Sequence, residues 1–360
     1  MSRQRLIVEG ATVPLRPTPA RAHEGGTMPT DETVQQLVTD ATAAPSMHNA
    51  QPWRFRCLRD SGTLELRADP TRAMPASDPA HRALHIGCGA ALFNLRVAAA
   101  HAGLPPDVRL LPDYADRGLL ATVSLSDNPP DGLPDSPADG TDDGLAQLYP
   151  AIHRRHTSRY PFAEQGLSDS QWAALVDAAD REGAVLLFPS DWHLELLLDL
   201  VQDAEGRDDP GRREEIARWT RLGPAEADIA TEGVPEYAFG PHKRDGRAPV
   251  RDFAGRRPVA DRGTTSFESR PNLVLLGTAD DRPADWLRAG QAMERVLLQA
   301  TLDGLATSLT SHALEWSDLR ELVRDPASAV GFVQMVLRIG HGPQGPTTRR
   351  RPVREVLEFV

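Results

Sequence analysis

Several features are scarce in this chain, and each scarcity narrows what it can be. Cysteine occurs twice in 360 residues, as Cys57 and Cys88, at a spacing that fits no metal-binding or dithiol motif. Two free thiols suit a reducing compartment, so a cytoplasmic setting is expected. No apolar run approaches the roughly 18 residues needed to cross a bilayer, and the N-terminus lacks the apolar segment of a signal peptide. Basic excess is also missing. The formal net charge is −11, with acidic residues spread along the chain, which argues against a basic nucleic-acid face but leaves room for one small basic pocket. No G-x-G-x-x-G turn follows a strand pattern, which removes a dinucleotide-binding reading. His81 and His85 stand four apart, yet no glutamate completes a zinc-protease motif, and exposed or capping histidines account for them.

What is present is ordinary globular composition, 40% hydrophobic and 25% charged, in a chain long enough for two or three domains or one fused unit. Residues 1–28 mix Arg, Pro, Gly and Glu and read as an N-terminal arm. A helix is predicted over 31–44, capped by Thr30 or Asp31 and stopped by Pro45. Strands at 53–59 and 63–68 flank a hairpin signal at Ser61-Gly62. A long apolar helix over 80–102 ends at Gly103, and strands follow at 109–111 and 119–125. Residues 126–144, rich in Pro, Asp and Gly, have linker composition.

The same order then recurs. A helix capped by Ser168 leads to a strand at 184–188. A helix over 192–205 and a helical piece reaching Trp219 come next. After residues 207–267, dense in Gly, Pro and charge, come a strand at 272–278, a long helix over 283–303 ending at Gly304, and a final strand at 332–339. The two long helices align without a gap, Gly89 on Gly290, Leu95 on Val296 and Gly103 on Gly304. Two related halves, 29–145 and 146–360, are expected.

The sharpest local string is APSMHNAQPWRF, residues 44–55. A helix stops at Pro45, a polar turn offers backbone N–H groups and side chains, and a buried strand begins at Trp53. A plain capped turn with a core tryptophan would use the same residues. A second string, RHTSRYPF at 155–162, places two guanidiniums and a hydroxyl within five residues, a set suited to phosphate but also to a solvated basic turn.

Together these strings resemble the nitroreductase superfamily of FMN-binding flavoproteins. The first is similar to that family's Pro-Ser…Asn-x-Gln-Pro-Trp signature, and the second to its basic phosphate-holding segment. The resemblance implies cofactor contacts at Pro45, Ser46, Met47, Asn49 and Gln51, at Arg155, His156, Thr157 and Arg159, and at Arg350 in the tail RRRP (349–352). GLATSLTS, 304–311, resembles the loop near the flavin N5 edge, which implies Leu309, Thr310 and Ser311. No catalytic acid, base or metal ligand is required.

The motifs lie in different halves, so the resemblance implies an α+β chain with two tandem nitroreductase-type folds. Each has a central, mostly antiparallel sheet flanked by helices, and together they form an intramolecular pseudo-dimer. Neither motif repeats in the other half, so one FMN per chain is expected. The arrangement resembles the fused Acg-like branch, whose insertion is similar to GVPEYAFGPHKRDGRAPVRDFA (233–254). Residues 207–267 would then fold over the flavin as a lid, or else form a surface excursion. The implied function is FMN-dependent electron transfer from NAD(P)H to a small nitro, quinone or ene-type acceptor. The alternative is an FMN-holding protein with a closed lid. Nucleic acid and membrane are not expected partners, and a further homodimer stays open.

Overall fold

The computed structural model describes residues 29–125, 144–325, 328 and 330–360. The expected arm (1–28) and nearly all of the expected linker lie outside these residues. The chain opens with α1 (Asp31–Thr42), whose start is capped by the Thr30 hydroxyl accepting from Thr33 N, with Asp31 and Glu32 in the first turn. Both devices satisfy or complement the free N–H groups of a helix start. The hairpin β1 (Trp53–Leu58) and β2 (Thr63–Ala68) follows, then α2 (Arg82–His101), β3 (Asp107–Leu110) and β4 (Leu119–Ser124). Asp78 begins α2, its carboxylate accepting from Ala83 N and Leu84 N. His85 Nδ1 lies 2.6 Å from the His81 carbonyl, so this histidine pair is used at the helix start.

The second part runs α3 (Asp169–Asp180), β5 (Val185–Leu187), α4 (Asp191–Gly206), α5 (Pro210–Arg218), β6 (Thr220–Arg221), α6 (Pro224–Ala227), β7 (Val234–Pro235), β8 (His242–Asp245) and β9 (Thr264–Ser266). It continues with β10 (Leu273–Thr278), α7 (Pro283–Leu302), β11 (Ala306–Thr310), α8 (Ser317–Leu322), β12 (Phe332–Gly340) and β13 (Leu357–Phe359). Ser168 caps α3 in a reciprocal box with Gln171, as its spacing predicts.

Two sheets carry the fold, ordered β13-β1-β2-β4-β3 and β11-β12-β10-β5. Without β13, the first runs first, second, fourth, third strand of its half. The second sheet has the same order from its other edge, all pairs antiparallel. Both second strands carry a register shift at the same point, Leu66/Arg67 in β2 and Leu276/Gly277 in β10. The long helices α2 and α7 form the largest element-to-element interface among the described residues. They cross at Gly89 and Gly290: a Cβ on Gly89 would overlap the Leu287 carbonyl oxygen, and one on Gly290 would overlap that of Ile86. Each glycine thus meets the residue three before the other, a reciprocal contact of the kind a two-fold axis produces.

Three expectations need correction. Residues 306–310, read as a loop, are strand β11, because Thr307 to Thr310 pair with β12. Helix α2 is long and apolar enough, by length and composition, to cross a membrane. Its Ala- and Gly-rich surface instead fills the core between the sheets, alongside Trp53, Phe55, Val296 and Leu297. The material inserted between β5 and β10 is longer than 207–267: it spans 188–272, where the first half has only the Ser61-Gly62 turn. It is packed, with Phe239, Phe253, Val234 and Ala254 forming a small core with Ile216 and Leu222.

Candidate functional site

One cleft, about 1270 Å³ with its mouth included, opens where the turn after α1, residues 155–159, the start of α2, the end of β11, the insertion and the C-terminal tail meet. The turn at 45–51 is locally costly. His48, Asn49 and Gln51 all have positive φ (49°, 55° and 53°), a region that costs non-glycine residues about 1–3 kcal/mol each and persists only where surroundings enforce it. The enforcement is visible. Ser46 Oγ accepts from Gln51 N at 2.9 Å, and Asn49 Nδ2 donates to the carbonyls of Gly233 (3.0 Å) and Arg349 (3.3 Å). Gln51 Nε2 donates to Thr231 O at 2.7 Å, while its Oε1 accepts from Arg351 N at 2.8 Å. Insertion and tail therefore hold the turn in place.

Residues 155–159 are extended against β11: Thr157 bridges Thr307, and Ser158 N donates to Thr307 O at 2.8 Å. Extension gives period two. Arg155, Thr157 and Arg159 line the cleft with His156, whereas Ser158 is buried on Pro343 O (2.7 Å).

The cleft has two basic ends. At one, Arg155 Nη2 and Arg350 Nη2 both donate to Ala43 O (3.0 and 3.1 Å), and Arg350 Nε reaches Ala44 O. These are carbonyls at the C-terminus of α1, where partial negative charge attracts cations. Glu294, fully buried on α7, sits 3.3 Å from Arg155 Nε, its carboxyl raised by burial against the pull of Arg155. Burial and the neighbouring Arg155 push Arg350 down to about 9, and burial, Arg155 and Arg350 push His156 down to about 4. At the other end, Arg159 donates to Ala238 O (2.9 Å) and lies 5.0 Å over the Phe253 ring. Burial and Arg251 push it down to about 10. Arg251 meets Glu315 at 2.5 Å, and Ser311 Oγ donates to the same carboxylate at 2.7 Å. Arg350 and Arg159, each lowered by burial and a neighbouring guanidinium, mark a cleft with surplus positive charge, the condition for holding an anion.

Most of the residues singled out from sequence converge here: Pro45, Ser46, Met47, Asn49, Arg155, His156, Thr157, Arg159, Leu309, Ser311 and Arg350 all line the cleft. Gln51 and Thr310 do not. Gln51 is fully buried under the insertion, and Thr310, on the opposite face of β11 from Leu309, turns its hydroxyl to Pro249 O (3.4 Å). Sequence reasoning missed Arg82, Arg251, Phe253, His312 and Glu315 in the lining, and Glu294 behind it. His48 had lain inside the motif. Arg251 and Phe253 had lain in the insertion string, whose composition alone does not say which side chains point inward.

After α3 the chain enters β5 across Arg181–Ala184, with no counterpart of the turn at 45–51. Glu182 fills that position, paired with Arg96 (2.5 Å) and Arg295 (2.8 Å).

Comparison with known proteins decides the family. A profile described as "Nitroreductase family" matches residues 152–341. Two Mycobacterium tuberculosis proteins are each 32% identical to the chain. One is "Uncharacterized protein Rv3127" (91% of this chain, 93% of that one), and the other "Putative NAD(P)H nitroreductase acg" (92% and 97%). The chain belongs to the nitroreductase family. Within it, the chain falls in the Acg-like branch, as the motif strings imply. The solved Desulfitobacterium hafniense nitroreductase with bound FMN is 11% identical at a TM-score of 0.36, over 59% of this chain and 98% of that one.

Proposed function

We propose that this nitroreductase is an FMN-dependent oxidoreductase built as a tandem duplication, with one flavin site per chain. The two halves would be 29–145 and 146–360, the second carrying the insertion. The observation that carries the reading is the cleft itself: two arginines of like charge, buried Arg155 and half-buried Arg350, line it with a hydroxyl, Thr157, and a strained polar turn. A dianionic phosphate relieves that repulsion and takes charge-assisted hydrogen bonds from both guanidiniums. Thr157 and His156 complete that end. Pro45, Ser46, Met47 and Asn49 on one side, with Leu309 and Ser311 on the other, frame the ring, and Arg159 faces its polar edge. Bound FMN supplies hydride uptake and release at its ring. The chain's own part is to orient the ring, exclude water and present positive charge to the reduced form. NAD(P)H as donor and a small nitro, quinone or ene-type compound as acceptor suit that chemistry. A cytoplasmic location suits the two free, buried cysteines.

A second reading, an FMN-holding protein with little turnover, is favoured by one observation. The insertion is tied across the turn through Asn49, Gln51, Arg159 and Tyr237, whose hydroxyl donates to Thr347 O at 3.2 Å. The spectrum of purified protein before and after anaerobic NADPH separates the two. Bleaching within seconds supports the oxidoreductase. Flavin that stays oxidised supports the holding role, and no flavin at all contradicts both.

The same strand order, the matching register shifts and the reciprocal glycine contact support duplication. The missing turn and the Glu182 ion pairs support a single site.

A further inference from the structure

The basic end opposite the phosphate pair contains groups that the flavin reading leaves without a task. His48 stands on the strained turn and is 7% exposed, with neither ring nitrogen hydrogen-bonded. His312 follows Ser311 and is 6% exposed. Its Nδ1 is unpartnered, and its Nε2 lies 3.5 Å from Glu205 without a hydrogen bond. Both rings line the cleft, with Arg251 from the insertion and Phe253 edge-on to His48 at 5.3 Å between centroids.

Leaving a buried polar group unpaired costs about 1–3 kcal/mol, and His48 adds the cost of positive φ. Four ring nitrogens without a hydrogen bond, on two side chains that line one cleft, indicate that something else completes their hydrogen bonding. Burial and Arg251 hold both imidazoles well below their ordinary range, so each is neutral and offers one N–H donor. Arg251 commits one Nη2 to Glu315 and keeps other N–H groups of its planar fork for a carboxylate. Phe253 supplies an aromatic edge beside them.

Resting on the flavin reading above, we infer that His48, His312 and Arg251 form the acceptor subsite, and that it selects a small aromatic acceptor carrying a carboxylate. Arg251 pairs with the carboxylate and the two imidazole N–H groups fix its orientation. Because Arg251 comes from the insertion, that segment contributes specificity as well as cover.

The test is a titration of FMN-loaded protein with benzoate and with benzamide, its uncharged analogue, followed by the flavin spectrum and by calorimetry. Benzoate is expected to bind at least tenfold more tightly. Arg251→Gln should bring that ratio to within threefold, while Arg251→Lys keeps most of it. His48→Asn, a residue that tolerates the left-handed region, and His312→Phe should each weaken benzoate at least fivefold. Flavin content per chain serves as the folding control for all four variants. Absent benzoate binding, equal binding of the two ligands, or a preference that survives Arg251→Gln would overturn the inference. A chain that takes up no flavin fails the function proposed above, yet calorimetry still returns the ratio that decides this one.

Discussion

Replacing Arg350 with Ala separates the two ends of the cleft. Arg350 and Arg155 converge on Ala43 O, so in flavin-free protein their like charges repel each other. A bound phosphate reverses the balance, since each charge-assisted hydrogen bond contributes about 1.5–3 kcal/mol. Removing Arg350 deletes one or two such bonds but also relieves Arg155. One such bond lost, about 1.5–3 kcal/mol, weakens FMN by roughly ten- to a hundred-and-fifty-fold. Riboflavin lacks the phosphate and should change less than threefold. Arg159 lies over Phe253 at the far end, beside the like charge of Arg251, so Arg159→Ala should weaken FMN and riboflavin alike. Flavin fluorescence during titration into flavin-free protein measures all four affinities. Equal losses for FMN and riboflavin in Arg350→Ala, or a phosphate-specific loss in Arg159→Ala, would refute the assignment of the two ends.

Three further outcomes are expected. Gly89→Ala or Gly290→Ala places a methyl against a carbonyl of the facing helix and should cost at least about 1–3 kcal/mol, read as a lower urea midpoint; an unchanged midpoint would mean that the crossing is loose. Folded-state burial lowers His48 and His312, so the stability tied to their neutral form is present above about pH 6.5 and is lost as pH falls. His312→Phe should therefore flatten the fall in melting temperature measured from pH 7 to 5. Replacing residues 233–254 by a Gly/Ser linker should weaken FMN and, in the flavin-loaded fraction, speed reduction by NADPH at least tenfold, as followed by stopped-flow bleaching; equal slow rates would show that the insertion does not limit access.

Much of the architecture was legible because the periodic segments are long and well punctuated. Thr30, Ser168, Gly103 and Gly304 mark helix ends, and the alignment of Gly89 with Gly290 pointed to related halves, while the close crossing of the helices at those glycines became visible only in the structure. Strand β11 was missed because its alternation, Ala-Thr-Ser-Leu-Thr, is weakly apolar and gains its order from pairing with β12. The site motif was legible as a set and less so in roles. Gln51 carries the family spacing yet spends both ends of its amide on the insertion and the tail, a use set by tertiary contacts. Arg155 and Arg159 look equivalent in RHTSRYPF, and the fold sends them to opposite ends of the cleft because Arg350 and Arg251 arrive from distant segments.

The central claim is a single flavin site per chain, and the most direct measurement is flavin released by heat from reconstituted protein, quantified against chain concentration. A ratio of one FMN per chain is predicted, with the Arg155→Ala/Arg350→Ala double variant falling close to zero at micromolar flavin. A ratio near two would mean that the ion pairs of Glu182 do not close the second site, and a ratio of zero in the unmodified chain would contradict the account outright.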